Sequence, residues 1–190
     1  MLKFDAATHT YHWNDRLVPS VTQILGQLTD LSKIPRDVLE RKRLIGTWVH
    51  AAIELDLHDD LDESSIGEEW AGYFQGWRKF RAESGFVMQD AEQRVYSPKY
   101  GYAGTLDLLG TLPKLGQALI DTKCTATIYP AVGPQTAAYG EAHGVSKAKR
   151  FALQLKPNGT YNLHPCPDRS DFGVFAAALT LFNWRAKWKC

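Results

Sequence analysis

Two short apolar segments, each carrying an aspartate, constrain the fold of this chain more than any other sequence feature. Residues 103–107 are Ala-Gly-Thr-Leu-Asp, and residues 119–123 are Leu-Ile-Asp-Thr-Lys. Both have the pattern of half-buried strands, and the Leu-Pro-Lys-Leu-Gly at residues 112–116 has the composition of a turn. The sequence therefore predicts a β-hairpin, in which a turn centred on its lysine places Asp107 directly opposite Asp121.

This opposition of two acids predicts a bound cation. Directly opposed residues of an antiparallel pair have side chains about 5 Å apart, where like charges are destabilising. Lys123 lies two residues beyond Asp121 and therefore on the same face of its strand. Charges within apolar strands cost free energy unless they are paired or bound to a metal. The ordinary alternative is that Asp107 lies in a turn and that Asp121 and Lys123 form a surface ion pair.

The two aspartates and the lysine suit the hydrolysis of a phosphodiester. Two carboxylate oxygens can hold one Mg²⁺ while waters and a phosphate oxygen fill its remaining octahedral positions. Such a metal lowers the pKa of a bound water and polarises the phosphate, and an ammonium group can orient the attacking water. Asp107, Asp121 and Lys123 are therefore the predicted catalytic residues, and the two aspartates are also predicted metal ligands.

The composition predicts an ordinary soluble globular protein. The 190 residues fit one domain spanning residues 1–190, and 44% apolar with 23% charged residues is typical of that class. The net charge of +1 gives no global signal for nucleic acid, although a local basic patch with a divalent metal can still bind it. Cys124, Cys166 and Cys190 lack metal-binding spacing. With neither a long apolar stretch nor a signal peptide, we expect a cytoplasmic protein without a membrane partner.

Periodicity along the chain predicts a single α/β domain with an N-terminal β-hairpin. The hairpin spans residues 3–18, and Ser20 is predicted to cap a short helix that follows it. Helical and strand patterns then share the rest of the chain. The predicted helices occupy residues 36–57, 67–83, 131–143 and 171–188, and the predicted strands occupy residues 86–97, 102–111, 117–124, 148–156 and 160–164.

The long helix carries a second group of candidate site residues. A spacing of four puts Gly46, His50 and Glu54 on one helical face. Glycine inside a helix costs about 1 kcal/mol relative to alanine, so we expect another element to approach closely at Gly46. His50 is a candidate third metal ligand, and Glu54 is a candidate supporting or water-mediated ligand. Alternatively, His50 is an ordinary buried histidine and Glu54 is solvated.

Further candidates flank the predicted hairpin in sequence. Gln135 and Tyr139 share one face of a helix, and the small alanines between them would let that helix lie close to the sheet. An amide and a phenol can both hydrogen-bond to phosphates or bases. The alternative is a helix that packs its alanines and exposes its polar residues. Glu92, in the strand before the hairpin, could support the metal site or pair with Arg94.

In this order, the motifs resemble those of the PD-(D/E)XK nuclease superfamily, in the RecB-like branch found in bacteriophage exonucleases and the mitochondrial genome maintenance exonuclease. The resemblance covers about residues 10–165 and includes the opening hairpin and the Pro-Ser-Val-Thr-Gln-Ile-Leu that follows it. The matching residues are Gly46, His50 and Glu54 of the helix, Gly104-Thr105-Leu106-Asp107, Asp121-Thr122-Lys123, and Gln135 with Tyr139.

The resemblance implies a restriction-endonuclease-like core, in which a central mixed β-sheet is flanked by helices. It also implies a Mg²⁺-dependent DNA exonuclease, phage-encoded, that processes single-stranded or duplex DNA ends in recombination, repair or replication. Mn²⁺ is expected to substitute for Mg²⁺. A recombinase or a single-strand-binding protein is a candidate partner.

The same resemblance assigns roles to individual residues. His50, Asp107 and Asp121 would bind the metal, and the backbone carbonyl of Thr122 would complete its shell. Lys123 would orient the attacking water. Contacts to DNA would come from Gln135 and Tyr139.

One departure and two alternatives accompany this assignment. Some relatives hold an iron–sulfur cluster with four cysteines, which this chain does not have, so we expect no such cluster. The first alternative is a structure-specific or restriction-like endonuclease. The second is a non-catalytic DNA-binding protein that assists recombination.

Overall fold

The protein has an α/β fold, as the sequence predicts. A computed structural model describes residues 1–30, 32 and 34–188, and Cys190 lies outside these residues. Beyond residue 35, each predicted element is confirmed to within one residue at either end. The strands are β1 (Leu2–Asp5), β2 (Thr10–Trp13), β3 (Arg16–Val18), β4 (Val87–Ser97), β5 (Tyr102–Leu112), β6 (Gly116–Lys123), β7 (Lys149–Leu155) and β8 (Tyr161–Pro165), and the α-helices are α1 (Val21–Leu25), α2 (Arg36–Leu57), α3 (Glu68–Ser84), α4 (Val132–His143) and α5 (Asp171–Trp188).

The N-terminal segment forms a small antiparallel sheet of three strands in the order β1-β2-β3. The predicted hairpin corresponds to β2 and β3, and the prediction of two strands was incomplete because Leu2–Asp5 adds β1 beside β2. Helix α1 follows directly, and Ser20 caps it as predicted. The Ser20 hydroxyl accepts from the backbone N–H of Gln23, whose side chain accepts in return from the Ser20 N–H.

The central sheet is mixed and has the strand order β4-β5-β6-β7-β8. Strands β6 and β7 run parallel, and all other neighbours in this order run antiparallel. A parallel pair needs a long crossover connection, which α4 supplies between β6 and β7. The predicted central mixed β-sheet with flanking helices is therefore confirmed.

Apolar cores cover both faces of the central sheet. Leu108 and Ile120 pack in a core with side chains of α2 and α3, whereas their neighbours Leu109 and Leu119 pack with side chains of α1, α4 and α5. Successive residues of a strand point to opposite faces, so the two helix groups lie on opposite faces. Among the described residues, no helix combines the length and the apolar character needed to span a membrane.

Strands β5 and β6 separate next to the two aspartates. Their pairing runs from Leu112 opposite Gly116 to Leu108 opposite Ile120, which confirms the predicted register. Asp107 and Asp121 occupy the next position, just beyond the last pair. From there β5 continues beside β4, and β6 continues beside β7 as far as Lys123 opposite Gln154. The fold thus opens a gap between two strands at the residues that the sequence singles out.

Candidate functional site

Three side chains with metal-binding atoms converge at this gap. His50, Glu92 and Asp107 each offer a ligand atom, and these atoms lie within 4.8 Å of one another. His50 Nδ1 is 3.0 Å from Glu92 Oε1 and 3.7 Å from Asp107 Oδ2. All three side chains are largely buried, with 11% to 28% of their surface exposed. The structure therefore brings together two predicted metal ligands and the glutamate whose role the sequence left open.

Helix α2 brings His50 to the sheet. Ile45, Val49 and Ile53 are buried in the core, and they fix the rotation of the helix about its axis. His50 then contacts both strands at the gap, because its Nε2 also lies 3.2 Å from the carbonyl oxygen of Thr122. The expected close approach at Gly46 was wrong: a Cβ there would have nothing within 4 Å. Gly46 instead lines an open cleft.

Glu92 reaches the site through an irregular stretch of β4. Its backbone has φ 47°, in the left-handed region that residues other than glycine seldom adopt. The pairs on either side of it are Ala91 with Leu108 and Gln93 with Leu106, so Glu92 stands opposite Asp107. Its carboxylate pairs with His50 rather than with Arg94, which lies over the ring of Phe4. Strained backbone of this kind is concentrated at functional sites.

Asp107 connects the cluster to the strand beyond the gap. Its Oδ2 accepts a hydrogen bond of 2.6 Å from the backbone N–H of Thr122. One carboxylate thus contacts β6 while it also faces His50. Thr122 itself has a buried hydroxyl without a partner among the described residues, and its carbonyl points to the imidazole.

Asp121 and Lys123 form a buried pair beside the cluster. Lys123 Nζ is 2.6 Å from Asp121 Oδ2, and the Asp121 side chain is only 1% exposed. Asp121 Oδ1 is buried and has no hydrogen-bond partner in the described part of the chain. The alternative of a surface ion pair is therefore wrong. An unpartnered buried carboxylate oxygen is costly, and a bound ligand would lower that cost.

Electrostatic coupling shifts the pKa values of the site. Burial raises the pKa of Asp121 to about 6, although the Lys123 charge opposes the rise. Burial also raises the pKa of Asp107, against the charges of His50 and Lys123. Burial would lower the pKa of His50, but the carboxylates of Asp107 and Glu92 outweigh it and raise that pKa to about 9. In the absence of a metal ion, the protonated imidazole of His50 therefore balances the negative charges of Asp107 and Glu92.

Lys123 keeps its charge in this environment. Burial alone would lower the pKa of its ammonium group, but the carboxylates of Asp121 and Asp107 raise it above the ordinary value. The site thus holds the positive charge of Lys123 beside two carboxyl groups, Asp107 and Asp121, whose pKa values are raised. Such opposed pKa shifts among neighbouring groups are typical of catalytic sites, although structural ion pairs also produce them.

Comparison with known proteins assigns no family to this chain. No protein-family model matches it. No curated protein matches its sequence either. The chemistry of the site therefore has to be inferred from its own side chains.

The cluster lies in a cleft of about 720 Å³. One wall is α2, with Gly46, His50 and Glu54 on the cleft side as the sequence predicts. Glu54 is exposed and lies outside the group of three, so its supporting role stays a prediction. The other wall is the N-terminal sheet, whose part in the site the sequence did not reveal.

Gln135 and Tyr139 of α4 close one end of the cleft. Gln135 Nε2 donates to the Tyr139 hydroxyl over 3.3 Å, and both residues line the cleft. Tyr139 is 4% exposed, so the alternative in which this helix simply exposes its polar residues was wrong for it. Burial raises the pKa of Tyr139 well above its ordinary value, which keeps its phenol neutral and able to donate.

Gly104 makes room for the Tyr139 ring. A Cβ at this position would lie 2.5 Å from Tyr139 Cε1 and 3.4 Å from Val21 Cγ2. We expect Gly104→Ala to lower the free energy of unfolding by about 1–3 kcal/mol, because the buried ring has to shift. Urea denaturation measures this change. Gly46→Ala is the matched control: its Cβ meets open space, and in a helix interior it should stabilise by up to about 1 kcal/mol. Equal midpoints for the two variants would contradict this account.

Proposed function

We propose that this protein is a Mg²⁺-dependent DNA nuclease of the PD-(D/E)XK type, with a restriction-endonuclease-like core. The observation that carries the proposal is a buried Asp121–Lys123 pair adjoining the His50–Glu92–Asp107 cluster, at the point where two sheet strands separate. Metal-binding side chains with a charged ammonium group beside them suit phosphodiester hydrolysis. The motif order in the sequence favours an exonuclease that processes DNA ends in recombination, repair or replication.

The donor atoms of the site fit a hard divalent cation. Carboxylate and carbonyl oxygens are the ligands that Mg²⁺ and Mn²⁺ prefer. Asp107, Asp121 and the Thr122 carbonyl supply such oxygens, and His50 adds one nitrogen. Glu92 is a further candidate ligand, because its Oε1 lies 3.0 Å from His50 Nδ1. The buried Asp121 Oδ1 without a partner is the observation that most favours an ion at this position.

A divalent ion bound here would supply Lewis acidity toward a phosphate oxygen and would favour ionisation of a water. The protein side chains would bind the ion, donate hydrogen bonds and contact the DNA. His50 has to lose its proton to become a ligand, so metal binding should release a proton. Lys123 Nζ, held by Asp121, would donate to the attacking water or to a phosphate oxygen and would offset the developing negative charge. Gln135 and Tyr139 can donate to the DNA from the end of the cleft.

The first test is digestion of labelled linear DNA with Mg²⁺, Mn²⁺ or EDTA. We expect cleavage with either metal, none with EDTA, and release of short products from DNA ends. Closed circular DNA is the matched substrate, because an exonuclease leaves it intact. Cutting of the circle would indicate an endonuclease instead. Binding of DNA without cleavage by either metal would rule out the nuclease and favour a non-catalytic accessory protein.

A further inference from the structure

A second cavity lies beside α4, where β7 begins and β8 ends. Its volume is about 780 Å³, within the range of about 300–1,000 Å³ that encloses one small ligand. None of the residues that line it lines the cleft at His50. Lys149 of this cavity pairs with Ala118 of β6, and about 16 Å of strand separates Ala118 from Lys123. The cavity is therefore distinct from the candidate catalytic site.

Three exposed cations line this cavity, namely Lys147, Lys149 and Arg169. In the part of the chain that the structure describes, none of the three has a carboxylate within ion-pair distance. The thiol of Cys166 also lines the cavity, and it stays neutral because burial raises its pKa. The cavity thus carries a net positive charge, which favours a ligand with an anionic group such as phosphate.

A largely buried arginine fixes one wall of the cavity. The guanidinium group of Arg150 donates to the carbonyl oxygens of Gly133 and Asp168, at 2.8 and 2.7 Å. It also donates to Asp171 Oδ2 at 2.9 Å, and these bonds join the start of α4 to the start of α5. Arg169 lies on the segment that is held in this way. Its backbone is thus fixed before a ligand binds, which lowers the entropic cost of binding.

The remainder of the lining suits a nucleobase. It includes the aromatic rings of Phe151 and Phe172, and such rings stack on bases. The one carboxylate among the described lining residues is Glu141, whose Oε2 accepts a hydrogen bond of 2.8 Å from the buried hydroxyl of Tyr102. Glu141 Oε1 has no hydrogen-bond partner in the described part of the chain. This oxygen can therefore accept from the amino group of a base.

We infer that this cavity binds a free nucleotide whose base carries an amino group. The phosphate would lie at Lys147, Lys149 and Arg169. The base would contact the Phe172 ring and donate its amino group to Glu141. A phosphate ion alone would leave the aromatic lining and the carboxylate unused, whereas a nucleotide matches all three features. The inference goes beyond the proposed nuclease function and does not depend on it.

Isothermal titration calorimetry in EDTA tests this inference without any cleavage. The ligands are AMP, adenosine, inorganic phosphate and purine riboside 5′-phosphate, which is AMP without its amino group. We expect one site per chain for AMP, with an affinity at least about tenfold higher than for each of the other three. Each of those lacks a recognised group, and one hydrogen bond to a charged partner accounts for about that factor. Equal affinity for AMP and inorganic phosphate would overturn the inference.

Two variants show whether AMP occupies this cavity. A double variant with Lys147→Ala and Lys149→Ala should bind AMP about tenfold less tightly and adenosine unchanged, because adenosine has no phosphate. Both lysines are exposed, so its melting temperature should equal that of the wild type. Arg43→Ala is the matched control, because it removes a cation from the cleft at His50 and should leave AMP binding unchanged.

Three results would contradict the placement of the nucleotide. Wild-type affinity of the double variant for AMP would show that the cavity does not hold the phosphate. Equal losses in Arg43→Ala and the double variant would place AMP in the cleft. A 5′-phosphorylated oligoadenylate serves as the last probe. If the double variant lost affinity for this strand but not for AMP, the cavity would take a nucleic-acid strand instead of a free nucleotide.

Discussion

Replacement of Lys123 by alanine is expected to abolish DNA cleavage while the protein still folds. Its ammonium group lies 2.6 Å from Asp121 Oδ2, and it keeps its charge whether or not His50 is protonated. Loss of a single preorganised donor of this kind typically reduces the rate by about 10²–10³-fold. Loss of the countercharge also raises the pKa of Asp121 further, because the Lys123 charge opposes the effect of burial. The rate of product release from labelled linear DNA, measured with saturating Mg²⁺, gives the effect.

The matched control for this variant lies in the same hairpin. Lys114→Ala makes the same substitution in the exposed turn between β5 and β6 and should retain wild-type activity. Thermal unfolding followed by circular dichroism shows whether each variant is folded. If Lys123→Ala unfolds, Lys123→Met keeps the apolar stem and serves in its place. Near-wild-type cleavage by a folded Lys123 variant would mean that the site is assigned wrongly.

Local patterns were sufficient to predict much of this site. The register of the β5–β6 hairpin follows from one turn and two strands, so the pairing of Leu108 with Ile120 next to the two aspartates could be predicted from the sequence. The face of α2 that carries His50 follows from helical periodicity, because Ile45, Val49 and Ile53 determine which side is buried. Both predictions depend on spacings of a few residues, and both were confirmed.

The parts that sequence patterns missed depend on tertiary contacts. Glu92 reaches His50 because its backbone enters the left-handed region within β4, and no composition signal marks a glutamate for that conformation. The N-terminal sheet becomes a wall of the cleft through the Tyr11–Thr105 hydrogen bond, which joins residues 94 positions apart. The prediction of a close approach at Gly46 was wrong for a related reason. The sequence does not distinguish a glycine that lines an open cleft from one that packs against another element.

The Asp121→Asn variant separates the stability of the site from its function. Burial raises the pKa of Asp121 from 3.8 to about 6, so this group stabilises the fold at low pH and loses that contribution as the pH rises through about 6. Asparagine does not ionise and keeps the neutral form. In EDTA, we therefore expect the melting temperature of the wild type to fall relative to that of Asp121→Asn as the pH rises from about 4 through about 6.

Mg²⁺ should oppose that fall in the melting temperature of the wild type. A ligand that binds the folded state stabilises it by about 2.7 kcal/mol at a concentration one hundred times its Kd, which is roughly 5–10 °C for a chain of this size. The wild type should gain this shift, because the ion compensates the buried carboxylate at Asp121. Asp121→Asn should gain little and should cleave no DNA. Melting curves of both proteins in EDTA and in saturating MgCl₂ show whether the shift is confined to the wild type. If the melting temperature of the wild type does not change with Mg²⁺, Asp121 does not bind an ion. Its buried pair with Lys123 then has only a structural role.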